Sequence, residues 1–146
     1  MQTARAVKLY TPDLLALATG LAQFPLDPTL PLVAEARSRT CGSAIALGLA
    51  LDDDAQITRI GMQVSACAIG QASAMLLARN AEGASAGAIA ATTEALDQWL
   101  AGEGALPDWP GLGALIPARD HPGRHGALLL PWKAACIALS SGAAGG

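Results

Sequence analysis

Five side chains in this sequence are able to ligate a soft metal ion or to act as a nucleophile. They are Cys41, Cys67, Cys136, His121 and His125. Thiolate and imidazole groups are the usual protein ligands of zinc and iron. Three cysteines at wide spacing do not form the pattern of a secreted disulfide framework. The cysteine content therefore favours metal or sulfur chemistry in a reducing compartment, and we expect a cytoplasmic protein.

A β-hairpin is predicted between the first two cysteines. Residues 44–51 alternate large apolar and small side chains, and residues 58–64 place their even-numbered side chains on one face. Three consecutive aspartates at residues 52–54 supply a turn between the two runs. Alternation of period two with an intervening turn is typical of two antiparallel strands that share one buried face.

The register of this hairpin predicts that Cys41 and Cys67 are neighbours. With the turn at residues 52–56, Cys67 falls opposite either Thr40 or Gly42, and both registers set it one step from Cys41. Neighbouring positions on paired strands are about 5–7 Å apart. From the spacing alone, a metal or sulfur site, two ordinary buried cysteines and a disulfide all remain open.

Cys67 also stands where the periodicity changes from strand to helix. Apolar residues recur at helical spacing from Ala68 to Ala78, and Gly83 ends the segment. The N–H groups at a helix N-terminus favour a thiolate. Cys67 is therefore predicted to be the more nucleophilic cysteine of the pair.

The elements that must position these residues form a mixed order of helices and strands. Further helices are predicted over residues 8–22, with Thr11 as N-cap, and over residues 85–101. A last helix is predicted from Ala127 to Leu139, with Trp132 and Ile137 as core anchors. Residues 32–40 predict a strand, and residues 102–117 predict a loop with short helical turns. This order predicts an α+β fold, a small antiparallel three-stranded sheet packed against several helices. We expect a single domain over residues 1–146 with a disordered tail at residues 140–146.

Composition excludes several other functions. Charged residues make up 14% of the chain, the net charge is −3 and there is no basic run, so we expect no nucleic-acid partner. The uncharged segment between Arg59 and Arg79 contains polar residues and glycines, so we interpret it as strand and helix and expect no membrane association. Phosphate-binding and nucleophile-elbow motifs are absent from the sequence, and we expect a protein that is not an enzyme.

The residues around the two cysteines resemble a known family. Cys41-Gly42 and the segment CAIGQASA at residues 67–74 are similar to NifU-type iron–sulfur cluster scaffold proteins of the IscU/SufU superfamily. Supporting similarity covers Leu9-Tyr10, IPAR at residues 116–119 and WKA at residues 132–134, the last two most like the SufU branch. The resemblance implies a SufE/NifU-like α+β fold over most of the chain.

The resemblance also implies a function and a ligand set. The implied function is an iron–sulfur cluster assembly scaffold that binds iron or a labile cluster, with Cys41, Cys67 and His125 as metal ligands. Its implied partners are a cysteine desulfurase and cluster-acceptor proteins. Zinc is the alternative metal, in which case the protein is a sulfur-transfer accessory to the desulfurase.

Two positions depart from the family pattern. Ser43 stands where the family has an aspartate, and Gly126 stands where it has a third cysteine. These changes motivate a further alternative, a degenerate homologue that binds assembly partners without a cluster. Ser43, His121 and Asp120 are possible auxiliary ligands. Pro122 and Gly123 place His121 in a loop, and Cys136 is predicted to be a core residue.

Overall fold

The computed structural model of the chain describes residues 10–39 and 42–145, with side chains up to residue 141. The helices are α1 (Pro12–Ala18), α2 (Ala68–Asn80), α3 (Ala86–Leu100) and α4 (His125–Gly145). The strands are β1 (Leu32–Arg37), β2 (Ala44–Leu51) and β3 (Ile57–Ser65). Short 3₁₀ segments cover Leu21–Gln23, Leu112–Asp120 and Pro122–Arg124. The strands form one antiparallel sheet in the order β1-β2-β3. The predicted α+β fold is confirmed.

The first helix begins as its sequence predicts and ends earlier than expected. The Thr11 hydroxyl accepts a hydrogen bond from the Leu14 N–H at 3.2 Å, which satisfies an N–H group of the first turn. The helix ends at Ala18, not near residue 22, and a separate 3₁₀ turn follows. Gly20 separates the two, and a Cβ at this position would lie 2.8 Å from the Cε of Met75. Residues 8 and 9 of the predicted helix lie outside the described residues.

The β2–β3 hairpin forms in one of the two predicted registers. Ala44 pairs with Ser65 and Leu47 with Met62. The buried face of β2 consists of Ile45, Leu47 and Leu49. A bulge between Ala50 and Leu51 shifts the register, so that Ile57 is buried and the predicted core residue Thr58 is exposed.

The opposite face of the sheet is crossed by the segment of residues 24–30, which we call the strap. Gly48 and Gly61 are paired on neighbouring strands, and the buried side chain of Leu30 packs over both. A Cβ on Gly61 would overlap the carbonyl group of Pro25. The N–H of Met62 donates to the Phe24 carbonyl at 2.9 Å. The missing side chains of the glycine pair therefore allow the strap to lie directly on the sheet.

The last helix is longer than predicted and packs on the sheet and on two helices. It contacts β1, β2, α2 and α3 and runs from His125 to Gly145, so it includes residues 140–145 of the segment expected to be disordered; residue 146 lies outside the described residues. Trp132 is fully buried, as predicted. The prediction for Ile137 is wrong, because this side chain is 50% exposed and lies with Lys133 and Ser140 on an exposed stripe of α4.

The hydrophobic core lies between the sheet and the helices. Its large buried groups are aliphatic side chains from the sheet, from all four helices and from the 3₁₀ segment Leu112–Asp120, together with Trp99 and Trp132. Within the described part of the chain, no helix combines the length and the apolar character needed to cross a bilayer.

Candidate functional site

Cys67 caps the first turn of α2. Its backbone is extended, with φ −66° and ψ 173°, and the helix begins at the next residue. The Cys67 carbonyl accepts the N–H of Gln71 at 3.0 Å, and the Gln71 side-chain amide donates to the Val64 carbonyl at 2.9 Å. This amide bridge fixes the turn that connects β3 to α2. The half-buried thiol is thus held at the N-terminal end of α2.

The open end of the β2–β3 hairpin lies beside Cys67. Ala44 pairs with Ser65, and continuing this register by two steps sets Gly42 opposite Cys67. Gly42 has a positive φ of 71°, and Ser43 is buried, its carbonyl accepting the N–H of Ser38 at 2.9 Å. Cys41 lies outside the described residues, so its predicted position next to Cys67 stays a prediction.

The first turns of α2 and α4 are packed directly against each other. A Cβ on Gly70 would lie 3.2 Å from the Ala127 Cβ, so only a residue without a side chain permits this approach comfortably. One turn further along α2, the Ser73 hydroxyl donates to the Leu128 carbonyl at 2.6 Å and accepts the Trp132 indole N–H at 3.0 Å. Both helices therefore begin at the same end of the molecule, which brings the N-terminal ends bearing Cys67 and His125 together.

His125, the first residue of α4, is held by a specific hydrogen bond. Its Nε2 lies 2.8 Å from the carbonyl oxygen of Arg119. Because a carbonyl oxygen only accepts hydrogen bonds, Nε2 must be the donor. In the neutral imidazole the lone pair is then on Nδ1, and Nδ1 is the nitrogen that remains able to bind a metal ion.

The other candidate residues lie elsewhere. His121 and Asp120 are exposed in the turn before α4. Cys136 is half-buried, with its Sγ 3.4 Å from the Thr93 hydroxyl, and it lies about 16 Å along α4 from His125. In the described ranges, no three His, Cys, Asp or Glu side chains are grouped closely enough to hold a metal ion. The assignment of Cys41, Cys67 and His125 as a ligand set therefore stays a prediction.

Two features that support the site were not expected from the sequence. They are the Gln71 amide bridge and the contacts of Arg119, whose Nε donates to the Trp99 carbonyl at 2.8 Å. The signal available in the sequence was weak, because glutamine and arginine on short segments have many roles. The close packing at Gly70 has a clearer signal, since two small residues must face each other where helices approach closely.

Comparison with solved structures shows similarity over nearly the whole chain. A nitrogen-fixing NifU-like protein (N-terminal) from Brucella abortus matches with a TM-score of 0.84 and 29% sequence identity, covering 93% of this chain and 95% of the other. The chain has the NifU-like fold. A protein assigned as an iron–sulfur cluster assembly scaffold for the SUF system of Fervidobacterium islandicum AW-1 matches with a TM-score of 0.80 and 21% identity over 92% and 98% of the two chains. Comparison with family models and with curated proteins gives no match.

Within this NifU-like fold, the described donors suit a soft or borderline metal. A thiolate at a helix N-terminus and a neutral imidazole are typical ligands of zinc, iron and iron–sulfur clusters. The divergence predicted from the sequence agrees with the low identity to both neighbours. The resemblance to NifU-like and SufU proteins is thus confirmed in fold.

Proposed function

We propose that this protein is an iron–sulfur cluster assembly scaffold that binds iron or a labile cluster as its cargo through Cys41, Cys67 and His125. The observation that carries the proposal is the close approach of the starts of α2 and α4 at Gly70 and Ala127, in a fold similar to that of NifU-like structures. Cys67 precedes the first of these helices and His125 begins the second, and the extrapolated hairpin register sets Gly42 opposite Cys67.

The chemistry of the donors supports a transient cargo. Histidine replaces cysteine at cluster irons in some proteins, so a mixed set of two thiolates and one imidazole is compatible with iron. Three protein donors leave a tetrahedral metal with one position for an outside ligand. The half-exposed thiol of Cys67 is also accessible to a partner. A site of this kind can receive and release cargo.

The proposed partners follow from this function. A cysteine desulfurase supplies sulfur, and acceptor proteins receive the cluster. The two solved neighbours are a NifU-like protein and a SUF-system scaffold, which supports assigning this chain a scaffold role and no enzymatic one. Its cytoplasmic location stays a prediction.

The two departures from the family pattern favour a second candidate. Ser43 and Gly126 occupy positions where the resemblance implies an aspartate and a third cysteine. A hydroxyl is a weaker ligand than a carboxylate, and glycine offers none. A chain with these changes can bind assembly partners without any metal. The zinc-binding accessory to a desulfurase is a separate alternative, which the resemblance to the SufU branch implies.

Metal and acid-labile sulfide analysis of protein purified without oxygen tests these alternatives. We expect iron and sulfide in the wild-type chain and their loss in Cys67→Ser. Cys136→Ser is the matched control, because it removes a half-buried thiol about 16 Å from His125. Zinc without sulfide would support the accessory role. Absence of metal from the wild-type chain would contradict the scaffold proposal and favour the partner-binding homologue.

A further inference from the structure

A chain of three contacts runs from α3 to the imidazole of His125. The Arg119 side chain lies on Trp99, with its guanidinium carbon 5.5 Å from the centre of the indole ring. Its Nε donates to the Trp99 carbonyl at 2.8 Å. The Arg119 carbonyl in turn accepts the hydrogen bond from Nε2 of His125 at 2.8 Å. One residue thus connects the end of α3 to the first residue of α4.

We propose that Arg119 is a positioning residue, which fixes the ring of His125 so that Nδ1 is the nitrogen that binds the metal cargo. This inference rests on the proposed function, because it assumes that His125 is a ligand. The carbonyl of Arg119 holds the proton on Nε2, and the guanidinium anchors that carbonyl by its two contacts with Trp99.

The anchor matters because of where Arg119 lies. It belongs to a 3₁₀ segment, Leu112–Asp120, which contains Pro117 and ends before His121, whose backbone is not helical (φ −121°, ψ 81°). Hydrogen bonds of 3₁₀ segments have poorer geometry than those of α-helices, so such a segment holds a carbonyl less firmly. Trp99 is 4% exposed and belongs to the core, so it provides a fixed support. A hydrogen bond from the ring nitrogen that does not bind the metal sets the tautomer and orientation of metal-binding histidines.

Arginine is required at this position for a physical reason. Its guanidinium carbon lies over the indole ring while Nε donates to the Trp99 carbonyl, and a lysine ammonium lacks the planar fork that fixes both contacts in one geometry. We therefore expect Arg119→Lys to weaken the anchor and Arg119→Ala to remove it. Arg124→Ala is the matched control, because Arg124 is half-buried and precedes His125 but none of its described side-chain contacts reaches Trp99 or the imidazole.

The first experiment determines the tautomer of the His125 imidazole in the metal-free protein. Nitrogen-15 NMR of the metal-free protein above neutral pH should show a single Nε2–H tautomer for His125, with its ring proton protected from exchange. The exposed His121 serves as an internal reference and should show no protected ring proton. Protection should be lost in Arg119→Ala, reduced in Arg119→Lys and retained in Arg124→Ala. A protected proton in Arg119→Ala would overturn the positioning role.

The second experiment adds cadmium-113 as the metal probe. We expect scalar coupling from cadmium to Nδ1 of His125, and an affinity about 10–100-fold lower in Arg119→Ala than in Arg124→Ala. Coupling to Nε2 would overturn this inference and leave the scaffold proposal intact. Cadmium bound at Cys67 with no coupling to His125 would overturn this inference and remove His125 from the proposed ligand set, while the scaffold role would stand. A wild-type chain that binds no cadmium would overturn both.

Discussion

Ser73 shows how much of the site depends on one buried hydroxyl. It is fully buried, donates to the Leu128 carbonyl and accepts the indole N–H of Trp132. Both partners belong to α4, so this hydroxyl fixes α4 against α2 one turn beyond the close approach at Gly70. In the described part of the chain, every buried side-chain nitrogen and oxygen has a hydrogen-bond partner.

We predict that Ser73→Ala lowers the free energy of unfolding by about 1–3 kcal/mol, because the indole N–H and the carbonyl lose their partner in a dry environment. Urea unfolding followed by tryptophan fluorescence measures the change. Ser140→Ala, an exposed serine on α4, is the control and should leave the midpoint unchanged. Equal midpoints for Ser73→Ala and the wild-type chain would show that water replaces the hydroxyl.

For single residues, the sequence predicts the place of a residue within its element better than its contacts with distant residues. The position of Cys67 at a helix N-terminus follows from a change of period along the chain and is confirmed. The contact between Arg119 and Trp99 joins residues 20 positions apart on segments whose relative placement depends on the core. No local pattern contains that information.

At the scale of elements, the strap and the glycine pair beneath it define how the sheet is covered. A Cβ on Gly61 would overlap the carbonyl oxygen of Pro25, whereas a Cβ on Gly48 would lie 2.9 Å from both the Cβ and the Cδ1 of Leu30. Leu30 can relieve this milder contact by rotating its Cδ1 away and by a small shift of its Cβ, but the Pro25 carbonyl would have to move further, and Pro25 belongs to a bridge with β3.

We therefore predict that Gly61→Ala destabilises the protein more than Gly48→Ala. The expected loss for Gly61→Ala is on the order of 1–3 kcal/mol, the usual cost of overpacking, and the loss for Gly48→Ala is smaller. Chemical denaturation of the two variants under the same conditions gives the comparison. The reverse order would mean that the strap moves more easily than Leu30 repacks.

The strap also carries a pH-dependent contact. The N–H of Thr29 donates to the Asp27 carboxylate at 2.8 Å, and this bond, with the Thr29 hydroxyl and the guanidinium of Arg59, lowers the pKa of Asp27 below its ordinary value of 3.8. A folded-state pKa below the unfolded one adds stability that is present above pH 3.8 and is lost as the pH falls through the lower value.

We predict that Asp27→Asn flattens the acid side of the stability profile. The difference in unfolding midpoint between wild type and variant should shrink as the pH falls from about 5 to about 2. The comparison variant is Asp54→Asn, which removes an exposed carboxylate from the β2–β3 turn and should keep the wild-type slope. A constant difference across this range would argue against the carboxylate as the source.

Element prediction from the sequence succeeds where the period is regular. The hairpin and α2 follow from alternation and its change, and both are confirmed. The bulge at Ala50 and Leu51 shifts the buried position from Thr58 to Ile57. A strand this short has too few alternating residues for the sequence to reveal such a shift. Ile137 is exposed on the same stripe as Lys133 and Ser140, and which stripe of α4 its neighbours leave uncovered is not specified by the helix sequence.

For the whole molecule, the proposed cargo should be coupled to stability. A ligand that binds only the folded chain adds about 2.7 kcal/mol at a concentration 100 times its dissociation constant. For a chain of this length, that corresponds to a rise of about 5–10 °C in the melting temperature. Scanning calorimetry with and without zinc, in wild type and Cys67→Ser, measures it. The same rise in both proteins would place the metal away from Cys67.

The junction of α2 with α4 has a further consequence for how the site comes into existence. The Ser73 hydroxyl and the Leu128 carbonyl are 55 positions apart in the chain, and closing so long a loop costs entropy that only completed packing returns. A peptide that ends before α4 retains the hairpin, Cys41 and Cys67 but lacks His125. The proposed ligand set is therefore complete only once α4 has packed against α2, and we expect a fragment without α4 not to reproduce it.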